Sequence, residues 1–175
     1  MTGPAWRACA GTLTTLNLWM GYAAGILVAV SAVILTGEVL GRYFLDRPTD
    51  WALELCIFML IAATFLAAGH TLAAKGHVNI DIVDHLMSGA LNRWRMLLAD
   101  LGAAGLCGFV AANAWRLTAV AYREDWVANS IWSPKLWIPF AFIALGMSLL
   151  ALQYLVQIVD DRVLPLLRKD RDGRA

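Results

Sequence analysis

Charge is scarce in this 175-residue chain, at 15% of residues against 60% apolar, and it is almost wholly excluded from four long stretches. Residues 8–37, 55–74 and 136–159 carry no Asp, Glu, Lys or Arg, and 101–115 forms a shorter run of the same kind. A soluble core does not need unbroken runs of this length, whereas a hydrocarbon slab of roughly 30 Å does. Cysteine is equally sparse. Cys9, Cys56 and Cys107 stand far apart with neither CxxC nor metal-ligand spacing, so they read as small apolar residues in or near helices, and a disulfide-exchange enzyme is excluded. The ~10-residue alternation of barrel strands is also missing, which leaves helices as the spanning element. Histidine occurs three times, at His70, His77 and His85, and only His70 falls inside an apolar run, so this chain has no facing pair to hold a haem. No phosphate-binding, nucleophile or metal motif is present, and a net charge of +1 gives no reason to expect a nucleic-acid partner.

What remains is the pattern of an all-α membrane protein in a single domain. Four spans are expected at about 16–40, 51–74, 96–121 and 136–159, joined by polar connections and followed by a charged tail at 160–175. An N-terminal secretion signal is a poor fit, because the first uncharged run is about twice the length of a signal core. Many of the eight Trp residues fall near the ends of the runs, where indole prefers the headgroup layer. Between the second and third spans, 81–95 reads as a short amphipathic interfacial helix. There Leu86, Leu91 and Trp94 lie on the apolar arc, facing lipid or a partner, while Asp81, Asp84 and His85 lie on the other.

Counting Lys and Arg by side, the termini, the second connection and the tail hold nine, against five for the other two connections. The positive-inside rule then puts both termini in the cytoplasm. Glycine pairs Gly21/Gly25 and Gly37/Gly41, with Gly102, Gly105 and Gly108 in the third span, allow close helix approach, although glycine is also simply common in membrane helices. His70 reads as a packing residue rather than a ligand. Glu38, Glu54, Asp100 and Arg116 gather toward span ends and the middle layers are apolar, so the residues themselves describe a membrane subunit without its own reaction centre. Arg42 has two candidate partners within the chain, Glu38 four residues earlier and Glu54 across the turn, with a lipid phosphate as a further one, and the spacing leaves these open.

The stretch 42–81 then carries a resemblance. R-Y-F at 42–44, W-x-x-E-L from Trp51 through Glu54 to Leu55, the small residues Ala67, Ala68 and Gly69, and K-G-H-V-N-I-D at 75–81, with His77 and Asp81, are together similar to the small membrane (Q) subunit of tripartite ATP-independent periplasmic (TRAP) transporters. Trp-Ile-Pro at 137–139 resembles the start of that family's last span. The chain departs from the family at Leu53, where a second acid often precedes the glutamate.

The resemblance implies no enzymatic act and no cofactor. It implies a scaffold in the bacterial inner membrane for a large membrane subunit, which moves an organic anion, commonly with sodium, after a periplasmic substrate-binding protein has captured it. Arg42, Trp51, Glu54, Gly69, His77, Asp81, Leu86 and Trp94 become the candidates for subunit contact or structural support, with membrane lipids as the remaining partner. His77 has two readings, a cap or partner contact and an ordinary solvated side chain. Two other classes compete: the membrane anchor of a respiratory oxidoreductase, and a small self-sufficient exporter using Glu38 or Glu54.

Overall fold

The computed structural model describes residues 4–45, 49–74 and 89–159, with side chains described for 10–44, 49–74 and 95–159. They form four α-helices: α1 (Pro4–Leu45), α2 (Ala52–Ala73), α3 (Gly89–Arg123) and α4 (Trp137–Ile158). Each holds a segment long and apolar enough to cross a membrane, and the described residues contain no strand beyond an isolated bridge between Val127 and Lys135. The chain is an all-α, multi-pass membrane protein.

Two helices outrun the slab. The 42 residues of α1 span about 63 Å and the 35 of α3 about 52 Å at 1.5 Å per residue, against about 33 Å for each 22-residue partner. The sequence expectation for the first span, 16–40, covers only the part of α1 that hydrocarbon requires. Pro4 opens α1 at a position where the absent amide donor costs nothing, and the helix continues inward from there. The expected interfacial helix at 81–95 lies largely outside the described residues. From Gly89 onward its backbone is helical and continuous with α3.

The helices form an open row. α1 packs on α2, α2 on α4 and α4 on α3, while α1 barely reaches α4. Small residues make these contacts. Ala24, Ala52, Ala62, Ala63, Ala111, Ala114, Ala121 and Ala144 are all buried, because in lipid the gain comes from backbones approaching closely rather than from hiding apolar area. Gly146 is the tightest case: a Cβ there would overlap the backbone carbonyl of Phe65 and stand 2.7 Å from its Cβ. Hydroxyls within the spans are satisfied on their own helix. Thr36, Thr64, Thr71, Thr118 and Ser148, for example, each donate to the carbonyl four residues earlier. Polar contacts also cross between helices, among them Trp115 Nε1 donating to Ser148 Oγ at 3.1 Å and Cys56 Sγ lying 3.6 Å from the Ser31 carbonyl.

Not every glycine anticipated as a packing surface is used within the chain. Gly21 lies against the His70 ring, where an added Cβ would sit 2.7 Å from Cδ2, but Gly25, Gly37, Gly102, Gly105 and Gly108 have open space on that side. Replacing Gly146 by alanine is expected to force α2 and α4 apart and lower stability by about 1–3 kcal/mol, read from thermal unfolding in detergent. Gly102→Ala, with room for its methyl, should leave the midpoint unchanged, and equal effects at the two positions would contradict the packing described.

Candidate functional site

The candidate residues fall at two ends of the bundle rather than in one site. At the end where α1 hands over to α2, Arg42 occupies the last turn of α1 with its side chain 63% exposed, and its Nη2 donates to Glu38 Oε1 at 2.9 Å. Glu38 is only 8% exposed, and its carboxylate is held from the far side of the turn. The backbone N–H of Thr49 donates to Oε1 at 3.1 Å and the Thr49 hydroxyl donates to Oε2. One glutamate therefore ties the α1 C-terminus to the approach into α2. Of the two partners within the chain that the sequence left open for Arg42, the ion pair in the structure is with Glu38.

Trp51 stands exposed at the entry to α2, as an interfacial anchor would. Glu54 lies in the first turn of α2, where a negative charge suits the helix dipole. Its Oε2 is buried without a hydrogen-bond partner. Arg42 and Glu54 thus share one end of the bundle with different environments: a solvated cation already paired, and a carboxylate with one oxygen shielded.

Gly69 lies 15 residues beyond Glu54 along α2, roughly 22 Å away at the opposite end. Its role is visible in what touches it. The space a Cβ would take is filled by the Asn17 carboxamide, with Oδ1 2.6 Å from the ideal Cβ position. Asn17 is fully buried, and its Nδ2 donates to Gln153 Oε1 on α4 at 2.8 Å. Its Oδ1 has no conventional partner and faces the α-carbon of Gly69, a weak contact of about 0.5–1 kcal/mol when well aligned. This interlock joins α1, α2 and α4, with the His70–Gly21 contact one residue along α2.

Sequence reasoning missed Asn17, Gln153 and Thr49. The signal for the first two was available: Asn17 is the one carboxamide of the uncharged run 8–37, near the start of the first span, and Gln153 is one of two, with Gln157, near the end of the fourth. Four alternating crossings bring those two positions to the same depth. His77, Asp81 and Leu86 lie outside the described residues, and Trp94 falls in α3 where side chains are not described.

The model for the DctQ component of the tripartite ATP-independent periplasmic transporters matches residues 31–163. The chain belongs to this family. Neither the curated proteins nor the solved structures return a match. DctQ membership makes the chain a small membrane subunit of a transporter. The match spans the Glu38–Arg42–Thr49 tie, Glu54, Gly69 and Gln153 and begins after Asn17, so half of the carboxamide pair lies outside the matched segment.

The interlock sets an expectation. Asn17→Leu or Gln153→Leu strands the surviving carboxamide in a dry interface and should cost about 1–3 kcal/mol, whereas the double leucine variant should recover a good part of that loss. Unfolding of the four species in detergent gives the coupling energy, and strictly additive losses would show that the pair does not act as a unit.

Proposed function

We propose that the chain is the scaffold of a TRAP-type secondary transporter. It lies along a large membrane subunit that carries an organic anion inward, with sodium, after a periplasmic binding protein delivers it. The family match over 31–163 carries this reading. The shape of the row supports it, since α1 buries the smallest share of its span against its own chain and exposes Trp19, Tyr22, Ile26 and Val33 along its length. With Gly25 and Gly37 open on α1 and Gly102, Gly105 and Gly108 open on α3, both outer helices offer places where a neighbouring helix could approach closely. Arg42, Trp51 and Glu54 would set depth and meet the partner at one surface, and His77, Asp81, Leu86 and Trp94 would act at the other.

We place both termini in the cytoplasm of the inner membrane on the Lys and Arg bias, so that the connection at 124–136 faces outward. Expression from the native operon with a tag on this chain should co-purify a large polytopic protein, and proteoliposomes should take up substrate only when both subunits and the binding protein are present. Isolation of the chain alone, or uptake by it alone, would overturn the scaffold reading. For orientation, Asn129→Cys, at an exposed position of the 124–136 connection, should react with an impermeant maleimide added to spheroplasts. Protection there, with labelling of a cysteine at the C-terminus, would invert the topology.

A further inference from the structure

A cleft of about 450 Å³ lies among α1, α2, α4 and the connection that precedes α4. Its walls are Leu27 of α1, Leu55, Met59 and Ala62 of α2, and Ile138 and Phe142 of α4, and the 132–135 segment closes one end. Along α2 it reaches from the first turn to the third, about 15 Å below the start of the helix at 1.5 Å per residue. That is half of the roughly 30 Å hydrocarbon thickness, the depth of one leaflet. Water is a poor occupant, since an ordered water needs two to four polar partners and these walls are almost entirely carbon.

The polar groups are confined to the headgroup end. Lys135 pairs with Asp125, and its side chain is still 44% exposed; an ammonium has three N–H donors, so the pair leaves two for an anion. Trp132 stands beside it, half exposed. The segment that carries them is held in shape. Ala128 N–H donates to the Pro134 carbonyl at 2.9 Å and Leu136 N–H to the Trp126 carbonyl at 3.0 Å. Ser133 takes a left-handed φ of 48°, with its hydroxyl donating to the Ser130 carbonyl at 2.6 Å. A cation at the mouth of an apolar cleft, paired with Asp125 but still partly exposed, fits a molecule with an anionic head and an apolar tail.

We propose that this cleft is a phospholipid site, with one acyl chain between α2 and α4 and the phosphate on Lys135. Bulk lipid offers the chain surroundings as apolar as these walls, so selectivity comes from the phosphate. One lysine near an anionic membrane surface accounts for at most about fivefold enrichment, equivalent to about 1 kcal/mol, and its pairing with Asp125 lowers that ceiling.

The test uses the full chain in its native complex, in bilayers doped with phosphatidylglycerol carrying a diazirine midway along one acyl chain, and in parallel with diacylglycerol carrying the same chain. Photolabelled peptides are mapped by mass spectrometry. Labels should concentrate in 55–62 and 132–142, up to about fivefold more with the phosphate-bearing probe, and Lys135→Gln should abolish that preference. Leu55→Trp, which fills the cleft, should remove these labels and spare those on the exposed face of α1 at Ile26 and Val33. Equal labelling by the two probes, or no enrichment over the α1 face, would overturn the proposal. So would a photocrosslinker at Met59 that captures the large subunit instead of lipid. If Leu55→Trp fails to assemble, the comparison of the two probes on the unaltered chain decides.

Discussion

Inside a bilayer the hydrophobic effect does not hold one helix against another, because a leucine is as well solvated by lipid as by protein. Every contact in this chain is shaped by that constraint. Where α2 meets α4, the backbone of Phe65 touches Gly146 with no room for a single extra carbon. Where α1 joins them, a buried amide hydrogen bond replaces the missing hydrophobic gain, and Gly69 makes space for it. Alanine dominates the buried set for the same reason. Large apolar side chains such as Ile26, Val33 and Phe109 point away from the chain, the reverse of a soluble fold.

Much of this could be read from the sequence, and the reason is again the bilayer. A fixed hydrocarbon thickness converts uncharged length into the number of crossings, so four helices follow from the charge pattern alone. The thickness says nothing about a helix outside the slab, and the extension of α1 back to Pro4 and of α3 back to Gly89 could not be obtained from it. Local pairings were legible where spacing decides them, as with Glu38 and Arg42 four apart on one face. The hold of Thr49 on the same carboxylate was not, since it depends on how the chain turns after α1. Asn17 and Gln153 were hidden for a different reason. A search for titratable groups passes over neutral carboxamides, yet in hydrocarbon an unpaired amide is costly enough to demand a partner.

The glycines show where sequence pattern runs out. GxxxG spacing at Gly21 and Gly25 predicts close approach, and the structure uses the first glycine for His70 and leaves the second open. Spacing identifies a surface able to pack but not whether the occupant belongs to the same chain. The chain belongs to a component family of multi-component transporters, and its open glycines are compatible with a neighbour from outside the chain.

The open row has a geometric consequence. A closed bundle of four helices would bury α1 and α3 against each other, fix its own shape and present only lipid-facing residues. Here α3 packs chiefly on α4 and α1 on α2, so α2 and α4 form the inner pair of the row. The two longest helices flank that pair with much of their surface uncovered by their own chain. The inner pair carries Gly146, Gly69 and Gln153, and α1 reaches it through Asn17.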